Sequence, residues 1–241
     1  MDWRLAAAAV AAGYLCGSVS FARIVRAVFA PGRDISRTSI RVEGSEQTMD
    51  FSFVSATTIT AHLGMRYGFL VMLLDMFKVA APTLVFRFAF RGAPYFLLVA
   101  AAGFLGHVWP VWYRFRGGRG ILAIYAGALA IDPLGMLACS VGGYVFGLFV
   151  LRDVLSVYMT GVVLLVPWMW FTTRSPAYLA WAVFINAVFT AAMVPEIRRW
   201  VRLRRDPRWA DPTVVLEQSG MGRGMLWLGR RVGLVKRRPA G

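Results

Sequence analysis

Only two cysteines, two histidines and twelve acidic residues occur in this chain of 241. Cys16 and Cys139 both fall inside apolar segments and form no Cys-x-x-Cys pair. That excludes a disulfide framework or a cysteine-based zinc cluster, and both read as small packing residues. His62 and His107 form no His-Glu-x-x-His pattern, so no metal site is expected. Asp2 and Arg4 make a poor start for a secretory signal, and Gly17-Ser18 is followed by more apolar sequence. The first segment is therefore expected to be retained as a helix. There is no internal repeat and no low-complexity tract. Charge is scarce as well: 16% of residues are charged, against about 25% in ordinary soluble domains.

What fills the chain is apolar. Hydrophobic residues make up 58%, and the mean hydropathy is +0.59. Stretches around 4–28, 67–90, 94–113, 121–151, 153–171 and 176–194 are apolar enough to cross a bilayer, which takes about 20 residues per helix. The run 121–151 contains Ile131-Asp132-Pro133-Leu134, a charge followed by a helix-breaking proline. It reads as two helices joined by a short turn. The fold class is therefore all-α, a polytopic membrane helical bundle of about seven transmembrane helices. Residues 30–55 form the one sizeable polar segment between helices and read as a structured or re-entrant loop.

Basic residues orient the bundle. Seven helices place Arg33, Arg37, Arg41, Arg66, Arg114, Arg116, Arg119, Arg152 and the C-terminal tail on one side. Arg4, Arg87, Arg91 and Arg174 fall on the other. The positive-inside rule then puts the N-terminus outside and the C-terminus in the cytoplasm of a multi-pass cell-membrane protein. The chain divides into a transmembrane domain, residues 1–197, and a basic cytoplasmic tail, residues 198–241. The tail carries much of the net charge of +15. Anionic lipids attract juxtamembrane arginine at about 1 kcal/mol each, so lipid is the expected partner and nucleic acid is not. Residues 213–235 alternate apolar side chains with Arg223, Arg230 and Arg231 and suit a position along the membrane surface.

The stretch 106–120, Gly-His-Val-Trp-Pro-Val-Trp-Tyr-Arg-Phe-Arg-Gly-Gly-Arg-Gly, carries the chemistry. Arginine offers planar, permanently charged forks that match phosphate oxygens, and paired glycines let backbone N–H groups converge on an anion. A helix start directly after Gly120 adds free N–H donors and partial positive charge. The alternative is a plain basic loop of the kind that topology alone demands. Asp75 and Lys78 stand three apart in the second long segment, close enough to pair on one face. They are either a structural pair or the border of a polar site. His107, one turn before Pro110, is either an interhelical hydrogen-bonding group or part of that site. Ser18 and Ser20 suit close helix packing or a face open to substrate.

Three of these blocks resemble one enzyme family. Gly106-His107…Pro110…Phe115-Arg116-Gly117-Gly118-Arg119-Gly120 is similar to the Gly-His…Pro…Phe-Lys-Gly-Gly-Lys-Gly motif of the bacterial acyl-phosphate-dependent glycerol-3-phosphate acyltransferases. Residues 13–22 resemble that family's Gly-Ser-Ile-Pro-Phe block, and Leu73-Leu74-Asp75-Met76-Phe77-Lys78 resembles its Leu-Leu-Asp-Leu-Leu-Lys helix. The resemblance covers roughly residues 10–200, and the arginine loop is its most specific element.

The family implies a seven-helix membrane enzyme with its site at the cytoplasmic face. It transfers an acyl chain from acyl phosphate to the first hydroxyl of glycerol 3-phosphate, giving lysophosphatidate for phospholipid synthesis. Acyl phosphate is already activated, so neither a covalent nucleophile nor a cofactor is expected; orientation and phosphate clamping carry the rate. Carried over residue by residue, the resemblance assigns catalysis to His107, Thr57 and Thr58. It assigns substrate binding to Arg116, Gly117, Gly118, Arg119, Gly120, Ser18, Ser55, Asp75 and Lys78.

Two blocks depart from the pattern. The family's Ser-Gly-Asn-Ile-Gly-Ala-Thr-Asn, followed shortly by Arg, is replaced by Phe51 through Ala61; only Ala56 and Thr57 coincide, Thr58 stands for the second Asn and Ala61 for the Arg. Gly44-Ser45 is a competing anchor that needs an insertion. After the last helix, His-Arg-x-Asn-Ile becomes Met193-Val194-Pro195-Glu196-Ile197. Two other readings follow: an acyltransferase for a different polar acceptor, such as another phosphorylated one, or a non-catalytic protein that binds lipid or a partner on the same fold.

Overall fold

A computed structural model describes residues 2–32, 38–41, 48–51, 55–150 and 154–204, with the isolated positions 227 and 231. Helix α1 (Trp3–Ser18) starts under the Asp2 carboxylate, which accepts from the Arg4 N–H at 2.8 Å. The single crossing expected over 4–28 is broken at Val19 and Ser20, and a short helix α2 (Phe21–Phe29) follows. Serines on both sides weaken the helix here, because their hydroxyls compete for backbone partners. Ser18 Oγ donates back to the Tyr14 carbonyl at 2.7 Å, and both Val19 and Ser20 are extended.

Two four-residue strands, β1 (Thr38–Arg41) and β2 (Thr48–Phe51), pair antiparallel with Thr38 opposite Phe51. They lie in the polar segment expected to be a structured or re-entrant loop, and the fold is otherwise the expected all-α bundle. Pairing satisfies part of the backbone of this polar stretch. Gly44-Ser45 lies outside the described residues.

Helix α3 (Ala56–Leu63) turns through Gly64, at φ +95°, directly into α4 (Met65–Ala89). Then come α5 (Tyr95–Val108), a 3₁₀ turn at Val111–Tyr113, α6 (Ile121–Ile131), α7 (Pro133–Val145) with a π turn at Phe146–Val150, α8 (Val154–Thr173) and α9 (Pro176–Arg204). Among the described residues, four spans are long and apolar enough to cross a membrane: Trp3–Phe29, Met65–Ala89, Tyr95–Tyr113 and Pro176–Arg198. Three shorter apolar helices accompany them, at Ile121–Ile131, Pro133–Val145 and Met159–Thr173. On the outer face of α4, Phe69, Leu73, Phe77 and Phe88 are all exposed. An apolar stripe of this kind is stable when lipid covers it.

The expected division at Asp132-Pro133 is present. Asp132 ends α6 and caps α7, its carboxylate accepting from the Gly135 N–H at 3.0 Å and from Trp168 Nε1 at 2.7 Å. Helix α6 has 11 residues, about 16 Å of helix against a hydrocarbon core of about 30 Å. Ala123, Ile124, Ala126 and Ala128 on α6 are wholly buried, beside Phe104, Leu165, Ile185 and Phe189. Its C-terminal carbonyls at Ala130 and Ile131 accept from the Arg87 guanidinium, a cation at the negative end of the dipole.

Close approach between α1 and α5 rests on glycine. A Cβ at Gly13 or Gly17 would collide with the α5 backbone at Val99 or Gly103, and one at Gly106 with Tyr14 and Ser18. Small residues four apart are a standard means of bringing membrane helices together. Helix α9 continues to Arg204, past the expected boundary at 197/198. The remainder of the tail, with the amphipathic stretch expected over 213–235, lies outside the described residues, apart from Trp227 and Arg231, whose guanidinium sits 4.9 Å from the indole centroid.

Candidate active site

The break after α1 builds the floor of the site. A helix end leaves carbonyls without partners, and the Lys78 ammonium of α4 fills one of them, donating to the Val19 carbonyl at 2.5 Å. The same ammonium lies 2.8 Å from Asp75 Oδ1, and both side chains are buried. Asp75 Oδ1 has no hydrogen-bond donor aimed at it, so this contact holds by charge. Of the two readings of this pair, coupling inside the bundle is what the geometry gives. The pair is also close enough to His107 to act on it electrostatically.

Ser18 is wholly buried. Its hydroxyl is engaged with Tyr14, and its edge lies against Gly106. Packing therefore accounts for Ser18 directly. Tyr14 reaches further, donating its phenol hydrogen to the Trp109 carbonyl at 2.8 Å.

The arginine loop folds back over the last turn of α5. Gly117 N–H donates to the Val108 carbonyl at 3.1 Å, and Gly118 N–H to the His107 carbonyl at 3.2 Å. These are two of the N–H groups that the sequence suggested would converge on an anion, and here they bind the protein's own backbone. The glycines have a second reason to be glycine. A Cβ on Gly117 would strike the His107 and Val108 carbonyls and the Pro110 ring, and one on Gly118 would lie 2.6 Å from His107 Nε2. Gly120 is buried at φ +82° and opens α6. The unsatisfied N–H groups of the first turn of α6 begin directly at the loop.

Arg114 and Phe115 adopt φ values of 54° and 59° in succession, a conformation that costs non-glycine residues about 1–3 kcal/mol each. Arg23 of α2 supports the loop from the side. Its guanidinium donates to the Arg116 carbonyl at 3.3 Å and lies 4.5 Å from the Tyr113 ring centroid. The Arg116 side chain is exposed. Arg119 Nε donates to Glu196 Oε1 of α9 at 3.3 Å, with both side chains partly open to solvent. Buried His107 Nδ1 has no hydrogen-bond partner among the described residues.

Ser18, Asp75, Lys78, His107 and the loop are thus joined through direct neighbours. Ser55, Thr57 and Thr58 sit at the start of α3, which packs on α2 and α4 through Ala22, Val25, Ile59 and Val71. Ser55 and Thr58 bond each other in a capping box: Ser55 N–H donates to Thr58 Oγ1 at 2.8 Å, and Thr58 N–H to Ser55 Oγ at 3.3 Å. Thr58 is buried and Thr57 exposed. Among the described residues, no cluster of three potential metal ligands occurs. The reasoning from sequence missed Arg23 and Val19 as members of this neighbourhood, and met Glu196 only as part of the block that departs from the family pattern after the last helix. For Arg23, a signal was present in its position just after the Gly-Ser-Val-Ser-Phe-Ala block.

Comparison with known proteins gives this arrangement its context. Residues 7–203 match the model of the family described as glycerol-3-phosphate acyltransferase. A glycerol-3-phosphate acyltransferase of Anaeromyxobacter sp. (strain Fw109-5) is 33% identical over 199 residues, covering 80% of this chain and 91% of the relative. That of Anaeromyxobacter sp. (strain K) is 35% identical over 208 residues, covering 82% and 94%. The fold is similar to the crystal structure of PlsY (YgiH), an integral membrane glycerol 3-phosphate acyltransferase, in its glycerol 3-phosphate form. The TM-score is 0.67 at 25% identity, over 83% of this chain and 94% of that one. The lysophosphatidic acid form of the same enzyme gives a TM-score of 0.68. A helical membrane bundle with its glycine–arginine loop folded onto a histidine, matched along most of its length, belongs to the glycerol-3-phosphate acyltransferase family.

Proposed function

We propose that this chain moves a fatty acyl group from acyl phosphate to the first hydroxyl of glycerol 3-phosphate, giving lysophosphatidate and inorganic phosphate. The observation that carries the reading is the loop Arg116-Gly117-Gly118-Arg119 folded onto His107, in a chain of this family. Its solved relative is known with glycerol 3-phosphate and with lysophosphatidic acid.

In this reading the arginines and the start of α6 hold phosphate oxygens, and the acyl carbonyl lies toward the apolar bundle. The acceptor oxygen bonds to the carbonyl carbon, the carbon–oxygen bond to phosphate breaks, and the hydroxyl proton ends on the released phosphate. In this reading His107 carries that proton, a role supported by its Nδ1 having no hydrogen-bond partner among the described residues. Gly117, Gly118 and Gly120 let the loop lie close enough to the imidazole, while Lys78, Asp75 and Ser18 fix the floor beneath it. Thr57, exposed at the start of α3, is the member of its block suited to touch substrate; Ser55 and Thr58 hold the helix start.

The reading includes seven crossings, an external N-terminus, a cytoplasmic loop and tail, and a tail that binds anionic lipid through arginine. Transfer to a different phosphorylated acceptor is the second reading. Glu196 favours it, because an acidic group beside Arg119 alters what that arginine prefers. Purified protein supplied with acyl phosphate and a panel of acceptors, read by mass spectrometry, tests both. Lysophosphatidate as the main product is expected. Another acylated acceptor would select the second reading, and no acylated product would sink both.

A further inference from the structure

Among the residues whose side chains are described, four are acidic, and each except one has a local task. Asp2 caps α1, Asp75 is matched by Lys78, and Asp132 caps α7. Among residues whose side chains are described, Glu196 is the acidic one paired with the arginine loop. It reaches Arg119 from α9, 77 positions along the chain. Between these two side chains the contact runs through Nε at 3.3 Å, and they are 31% and 27% exposed. A partly solvated pair of this kind is weak. A phosphate is the stronger ligand for a guanidinium, since it carries more charge and accepts two parallel hydrogen bonds.

We infer that Glu196 is a positioning residue that sets the loop's affinity for phosphate through Arg119. It holds the guanidinium when no phosphorylated substrate is present and yields it to a phosphate. A ligand must therefore outcompete a carboxylate to secure the loop, which raises the concentration any anion needs, and a phosphate dianion meets that threshold because its charge-assisted bonds to a guanidinium are strong. This inference rests on the proposed phosphate-binding role of the loop. Pro195 immediately precedes Glu196 and cannot donate to the carbonyl one turn back, so α9 lacks one backbone rung where the carboxylate meets the loop.

The test uses the full-length protein in detergent or lipid, with Glu196→Gln and, should that variant fold poorly, Glu196→Ala. Two readouts are taken: KM and kcat for glycerol 3-phosphate at fixed acyl phosphate, and the concentration of inorganic phosphate that half-maximally raises the unfolding temperature. Loss of the carboxylate should lower both KM and the phosphate midpoint about two- to fivefold, the range a partly exposed ion pair is worth. No rise in kcat should accompany it. In an Arg119→Ala background the same substitution should leave the phosphate midpoint unchanged. An unchanged or raised midpoint in the single variant would overturn the proposal, as would an equal drop without Arg119. Phosphate titration reads this competition whether or not acyl transfer occurs, so failure of the proposed activity and failure of the Glu196 role are separately visible.

Discussion

Lys78 donates to the carbonyl oxygen of Val19 at 2.5 Å, tying the middle of α4 to the point where α1 ends. One cation thereby neutralises Asp75 and closes an open helix end, placed where the α1 dipole is negative. The two partners of the ion pair are consequently unequal. Asp75→Asn leaves Lys78 with a carbonyl acceptor, whereas Lys78→Met strands both a buried carboxylate and a buried carbonyl. Breaking a buried pair costs about 3–5 kcal/mol, and Lys78→Met is expected at the upper end of that range, Asp75→Asn below it. The double substitution should cost less than the sum, since the stranded charge disappears. Thermal unfolding in detergent checks this; additive losses would show the pair to be uncoupled.

Arg116→Ala and Arg119→Ala are each expected to raise KM for a phosphorylated substrate or to abolish turnover without unfolding the protein. Each removes a charge-assisted contact worth about 1.5–3 kcal/mol, or roughly 10- to 150-fold. Steady-state kinetics with unfolding curves alongside decide the matter. Unchanged kinetics in both variants would leave the loop as a topology signal alone.

Gly117 and Gly118 separate packing from chemistry. A methyl at Gly117 meets backbone carbonyls that cannot yield, whereas one at Gly118 meets the movable tip of the His107 ring. Gly117→Ala should therefore destabilise the protein by about 1–3 kcal/mol. Gly118→Ala should unfold at nearly the wild-type temperature while losing most activity, because the imidazole is displaced. Full activity in Gly118→Ala would remove His107 from the proposed proton path.

Much of this architecture is legible in sequence because the relevant forces are local. Apolar runs follow from composition, the Asp132-Pro133 turn from a charge beside a helix breaker, and the Asp75–Lys78 pair from three-residue spacing. The break at Val19 was hidden because apolar runs continue on both sides beyond Ser18 and Ser20, and serine supplies only a weak local competitor. Arg119–Glu196 and Arg23–Arg116 join residues 77 and 93 positions apart, and no periodicity encodes such contacts. The paired glycines were read for anion binding. Their N–H bonds to His107 and Val108 and their contacts with α5 depend on how α5 and the loop meet, which appears only in three dimensions.

Orientation has a direct check. Cysteine introduced at Arg114 of a variant lacking Cys16 and Cys139 should resist a membrane-impermeant thiol reagent in intact cells and react after permeabilisation. The expectation follows from the excess of arginine on that side. Labelling of intact cells would invert the bundle, and with it the proposed side of catalysis.

At the start of α3, exposed Thr57 and buried Thr58 make opposite predictions. Thr58 is committed to the capping box with Ser55, its hydroxyl both accepting from the Ser55 N–H and donating to the Ser55 carbonyl at 2.9 Å. Thr58→Val keeps the shape and removes those bonds, so it should cost about 1 kcal/mol of stability. Ser55→Ala should cost a similar amount for the same reason. Activity measured below the unfolding range should fall in these variants only as far as α3 loses its anchor on α2 and α4. Thr57 makes no such bond in the box, and Thr57→Val should leave the unfolding temperature unchanged. If Thr57 touches the acceptor, the same substitution raises KM for glycerol 3-phosphate while KM for acyl phosphate stays constant. Equal kinetic constants for Thr57→Val and the wild type would remove Thr57 from the site and leave α3 a purely structural element.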